Sequence, residues 1–105
     1  MTIEELLTSG IFTDVAVFPG GFNFAVSDSE CFDIQVNEGE AFLETNSKVC
    51  KELAEKLKPE VPVLDFGLWK KEGPVQSVTF PGPLVKLAGR LGFELCATMY
   101  EANDL

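Results

Sequence analysis

Phe22-Asn23-Phe24-Ala25-Val26 is followed, after Ser27-Asp28-Ser29-Glu30-Cys31, by Phe32-Asp33-Ile34-Gln35-Val36. Both runs alternate apolar residues with small or polar ones at a period of two. Extended backbone points successive side chains to opposite faces, so this is the pattern of half-buried strands. Upstream, Val15 and Val17 alternate with Asp14 and Ala16 until Pro19-Gly20-Gly21 breaks the run. The three runs together predict an antiparallel meander with one buried face. Asn23, Ala25, Ser27, Cys31, Asp33 and Gln35 would form the other face, which suits solvent or a partner.

Outward from this stretch the pattern changes. Met1–Gly10 predicts a short helix, with Thr2 and Glu5 spaced as a capping box and Gly10 as a left-handed stop. Asn37-Glu38-Gly39-Glu40 reads as a turn, and residues 41–44 fit either a strand or the start of a helix. Val49, Leu53 and Leu57 recur at i, i+4 and i+8, predicting a helix over 46–58 that ends before Pro59. Residues 61–69 are nearly all apolar and predict a strand buried on both faces. A returning strand follows over 75–80, then a helix over 84–91 stopped by Gly92, then a last strand from Phe93.

The expected fold is therefore a single α+β domain over 1–105 in the order αβββαββαβ. Its sheet is antiparallel-dominated, with about five or six strands, and two longer helices pack on one face. Phe22, Phe24, Phe32, Ile34, Leu53, Leu64, Phe66, Leu87 and Leu95 make up its expected core, each on the apolar phase of its element.

Charge is unevenly placed. Residues 1–47 hold nine carboxylates and no lysine or arginine, while residues 48–105 hold eight acids and eight bases, so the net charge of −9 belongs to the N-terminal part. Six of the nine phenylalanines share that part, making it aromatic as well as acidic. A negative face of this kind repels nucleic acid and attracts basic surfaces.

Histidine is absent, so neither a Ser–His–Asp nor a Cys–His constellation is available from this chain, and a histidine-ligated metal is excluded. Carboxylate, lysine or tyrosine chemistry is still open to the chain, but an enzyme using carboxylates or Cys50 trails the other readings, and a non-enzyme is expected. Cys31, Cys50 and Cys96 stand at no metal-ligand or redox spacing. With no export signal and no apolar run long enough to span a bilayer, reduced thiols in the cytosol and no membrane contact are expected.

Several patterns have a plainer reading than the functional one. Asp28, Glu30, Asp33 and the Glu38-Gly39-Glu40 cluster lack the ordered ligand spacing of a calcium loop, so no metal is expected. Cys50, near a helix start, fits a small core residue better than a reactive thiolate. Trp69-Lys70-Lys71 joins an aromatic to two cations, but phosphate would have to approach a chain of net charge −9. Pro19-Gly20-Gly21 has no helix start or lysine after it and reads as a turn.

Leu64-Asp65-Phe66-Gly67, then Phe80-Pro81, then Leu84, Leu87-Ala88 and Leu91-Gly92, closing at Tyr100, resemble the tail of an uncharacterised bacterial domain family. The resemblance covers about residues 61–100. It implies an α+β fold and no particular activity, cofactor or site.

Two readings of function follow. In the first, the chain is a cofactor-free binding protein whose acids Asp28, Glu30, Asp33, Glu38 and Glu40 dock on a basic surface of a protein partner. Immunity proteins and nucleic-acid-mimicking inhibitors work on that principle. In the second, an exposed strand pairs with its twin in a homodimer, or the domain holds a small ligand, and the acids keep it dissolved.

Overall fold

The structure is a computed structural model that describes residues 2–12, 15–18, 21–27, 29–70 and 77–101. Eight elements follow in chain order: α1 (Ile3–Leu7), β1 (Val15–Phe18), β2 (Gly21–Phe24), α2 (Phe32–Thr45), α3 (Ser47–Leu57), β3 (Val61–Lys70), α4 (Gly82–Leu91) and β4 (Glu94–Glu101). The strands lie in one sheet in the order β1-β2-β3-β4. β1 and β2 form an antiparallel hairpin, whereas β2, β3 and β4 run parallel.

The molecule is α+β, but its sheet is not the antiparallel-dominated one of five or six strands expected from sequence. Three differences produce the change. Phe32-Ile34-Val36, expected as a third meander strand, lies in α2, which also absorbs the expected turn at 37–40 and residues 41–44. Residues 77–80 form no strand, and the rest of the expected strand at 75–80 lies outside the described residues. With α2 in place of that strand, ahead of the expected helix α3, β2 and β3 are joined by a helical crossover, and a crossover aligns strands in parallel.

Both crossovers step across the sheet in the same direction, so a common hand carries α2, α3 and α4 to one face. β3 records this directly. Its even residues Pro62, Leu64, Phe66 and Leu68 are buried, while Val61, Val63, Asp65 and Trp69 are half-buried and Gly67 is exposed. The strand expected to be buried on both faces is buried on one.

The core between sheet and helices includes Leu6, Phe24, Leu43, Leu53, Leu64, Phe66, Leu84 and Phe93, with Phe22, Phe32 and Leu95 packed against it. Ile34 departs from expectation: it lies on the outer side of α2 and is 46% exposed. Helix periodicity explains why, since Phe32, Gln35, Val36, Gly39 and Leu43 fall on the inward stripe and Ile34 falls opposite. Gly39 lets α2 approach the sheet, because a Cβ there would stand 3.3 Å from Phe66 Cζ and 3.5 Å from Leu64 Cδ2.

The expected helix ends are partly as read. Thr2 and Glu5 form the capping box on α1, with Glu5 N donating to Thr2 Oγ1 at 3.1 Å and Thr2 N to Glu5 Oε1 at 3.2 Å. Thr8, rather than Gly10, is the C-cap. Gly92 closes α4 at φ +85°, where Phe93 N donates to Ala88 O at 2.8 Å and Gly92 N to Gly89 O at 3.2 Å. This pair of bonds is a Schellman closure, and it needs the left-handed residue that glycine supplies.

The far face of the sheet carries no helix among the described residues. There Thr98 Oγ1 donates to Asp65 Oδ1 at 2.8 Å, and the Trp69 and Tyr100 rings lie 5.4 Å apart.

Candidate partner-binding groove

The chain leaves β2 at Phe24 and reaches α2 through residues 25–31, a loop braced by its own hydroxyls. Ser27 Oγ accepts from Ser29 N at 3.2 Å, and Ser29 Oγ accepts from Cys31 N at 3.1 Å. Gln35, one turn into α2 and only 2% exposed, ties this loop to the sheet. Its Nε2 donates to Ser29 O and to Gly67 O, each at 2.8 Å. A buried amide with both bonds made fixes the loop and the C-terminal end of β3 in one arrangement.

Beneath the same corner Phe32, Phe66 and Phe80 form a ring cluster with centroids 5.3 to 6.0 Å apart. Tilted and edge contacts at this range are the favoured aromatic geometries. Phe32 is thus held from below while Gln35 holds the loop from the side.

The result is an open groove of about 880 Å³ where β3 ends and α2 begins, lined by Glu30, Cys31, Phe32, Asp33, Leu68, Trp69, Ser77, Val78 and Thr79. Grooves at the carboxyl ends of parallel strands are the usual binding position in such sheets. Glu30 and Asp33 are exposed at its rim. Asp33 also sits in the first turn of α2, where the helix dipole favours a carboxylate.

Of the five acids expected to meet a partner, Glu30 and Asp33 come together here. Asp28 lies outside the described residues. Glu38 is exposed on the outer side of α2. Glu40 is half-buried and turns toward α4, where it and Glu44 line a second groove of about 520 Å³ with Pro83, Lys86, Leu87 and Arg90. The acids therefore do not run along one edge of a meander. Helical spacing splits them between the groove, the outer side of α2 and a flank already facing two cations.

Phe32, Leu68, Ser77, Val78 and Thr79 escaped the sequence reading of the site, and Trp69 entered it only beside Lys70 and Lys71. The run Glu30-Cys31-Phe32-Asp33 interleaves acids with an aromatic, which is the signal that would have found half of it. Leu68 and Trp69 join only once α2 is laid over β3.

The thiols add no chemistry to the groove's rim beyond Cys31, which is exposed. Cys50 is buried in the helical layer, and burial pushes its thiol up to about 12, so it stays protonated at neutral pH. Among the described residues no three metal-ligating side chains are grouped, and no helix is long and apolar enough to cross a membrane.

The molecule is α+β, with helices on one face of its sheet and an open groove rimmed by Glu30 and Asp33. No known protein family, curated protein or solved structure matches this chain.

Proposed function

We infer that this chain is a non-enzymatic, cofactor-free binding protein of the cytosol that docks on a basic surface of a protein partner, in the manner of an immunity protein or inhibitor. Glu30 and Asp33 are its contact acids. One observation carries the reading: the groove joins two carboxylates to Phe32, Leu68 and Trp69, with no cationic side chain among its described lining residues. A lysine or arginine entering it meets opposite charge at the rim beside the apolar Phe32 and Leu68 side chains, a combination that favours a basic side chain over phosphate. The missing histidine supports the non-enzymatic part. Asp28, Glu38 and Glu40 contribute to the wider negative field that steers a basic partner.

The test uses an arginine-rich peptide as probe, titrated by calorimetry with nitrogen-resolved NMR shifts mapped on the protein. Shifts should centre on Glu30–Asp33 and the Trp69 indole, and affinity should fall as salt rises. Glu30→Gln with Asp33→Asn should weaken binding by about tenfold, mainly through a slower on-rate, whereas Glu38→Gln should change it little. Equal affinity for the doubly neutralised protein, or shifts confined to other surfaces, would refute this assignment.

A second reading, self-association through an exposed strand, has an observation of its own. β4 ends the sheet, with β3 on one side and no described strand on the other.

A further inference from the structure

The two edges of the sheet are guarded differently. β1 is four residues long, and a short edge offers few free backbone groups. β4 is eight residues long, Glu94-Leu95-Cys96-Ala97-Thr98-Met99-Tyr100-Glu101. It contains no proline, lysine or glycine, and its only charged residues stand at its two ends. Met99 and Tyr100 are 39% and 44% exposed there. Edges that stay single are normally blunted by a central charge, a proline, a bulge or a cover. Positions 95–100 carry neither charge nor proline, and β4 pairs with β3 residue for residue without a bulge.

We propose that β4 pairs antiparallel with β4 of a second copy across a twofold axis perpendicular to the sheet, joining two four-stranded sheets into one of eight. The proposal rests on the self-association reading and gives it a strand, a direction and a register. Such an axis keeps each sheet face on its own side, so directly opposed positions must have the same parity. Centred on Ala97, the pairing sets Leu95 against the second copy's Met99, Cys96 against its Thr98 and Glu94 against its Tyr100. Apolar residues meet on the helix-covered side, small and polar ones on the open side, and no two carboxylates are opposed. Centring on Thr98 would instead set Leu95 against Glu101. Centring on Cys96 also opposes no carboxylates but pairs only residues 94–98 of the strand, against 94–100 when centred on Ala97. The Ala97 register is therefore the longest one that matches the strand to itself, and a second copy is its occupant. Two chains of net charge −9 repel, so added salt strengthens this pairing while it weakens docking on a basic partner.

Sedimentation of the intact chain from ~1 to ~100 μM, at ~0.05 and ~0.5 M salt, should show a species of twice 11.5 kDa that grows with concentration and with salt. Met99→Lys, on an exposed side chain, should weaken the dimer at least about tenfold with an unchanged circular dichroism spectrum. Ala97→Cys, introduced with Cys31→Ser and Cys96→Ser, places a thiol beside the axis and should give a covalent dimer on mild oxidation. A monomer under all conditions overturns the proposal and the self-association reading together. A dimer that survives Met99→Lys and gives no cross-link through Ala97→Cys leaves self-association standing but overturns β4 as its site.

Discussion

α2 and α4 lie side by side on one face of the sheet, yet different physics holds each of them there. α4 buries Leu84, Leu87, Ala88 and Leu91, an unbroken apolar stripe closed by a glycine cap. α2 buries Phe32 in part, then Gln35, Val36, Gly39 and Leu43, a stripe interrupted by an amide and by a missing side chain. Both interruptions have a job. Gln35 reaches two backbone carbonyls that fix the groove, and Gly39 brings the helix close enough to seat on Phe66. The comparison teaches that α4 acts as a prop, whereas α2 gives up part of its apolar face to tie the loop before it to β3.

The largest effect expected from this contrast is on α4. Leu84 is fully buried, and Leu84→Ala should destabilise the domain by about 2–5 kcal/mol through lost burial and the cavity left behind. Chemical denaturation measures this. The folded fraction of the variant should still bind the basic probe as the parent does, because α4 contributes no residue to the groove. A folded but non-binding Leu84→Ala would erase the distinction between prop and positioning helix.

Next in size is Gln35→Leu, which keeps the volume apolar but strips Ser29 O and Gly67 O of their donor. Gly67 is exposed and Ser29 half-buried, so water can replace part of what the amide supplies. Losing the two bonds should cost about 1 kcal/mol, making the variant less stable despite its greater hydrophobicity. Amide exchange in the loop before α2 should speed up more than exchange in α4. If Gln35→Leu proves neutral or stabilising, α2 is held as α4 is and the amide is no strut.

The same contrast explains what was legible beforehand. α3 and α4 show their leucines at helical spacing, with ends marked by Pro59 and Gly92, and both helices stand where the pattern puts them. In α2 two of the five members of the inward stripe are Gln35 and Gly39, which carry no hydropathic signal. Phe32, Ile34 and Val36 fit a period of two by coincidence, and a short apolar triplet cannot separate the two periods. Once that helix is taken for a strand, an antiparallel sheet follows, because no crossover remains to align β2 with β3. Val61 and Val63 suggest burial on both faces of β3, yet only the position of the helices decides which face is covered. The site follows the same rule. Glu30 and Asp33 are visible as acids in the chain, but their meeting with Leu68 and Trp69 depends on α2 lying across the end of β3, which no local pattern encodes.

The smallest expected effect sharpens the comparison most cleanly, because one substitution type is applied to both helices. Gly89 lies exposed in α4, and a Cβ built there meets nothing within 4 Å. Gly89→Ala should therefore stabilise the domain by about 0.5–1 kcal/mol, since alanine lowers the backbone entropy of the unfolded chain and favours the helix. Gly39→Ala gains the same propensity, but its Cβ stands 3.3 Å from Phe66 Cζ, closer than such contacts ordinarily allow. Phe66 is buried and flanked by Phe32 and Phe80, so its ring has little room to yield. Overpacking of that kind costs about 1–3 kcal/mol, which outweighs the propensity gain and makes Gly39→Ala destabilising. Paired urea titrations of the two variants should give midpoint shifts of opposite sign. Shifts of the same sign would mean that Phe66 gives way, and that close seating of α2 is no constraint on the groove above it.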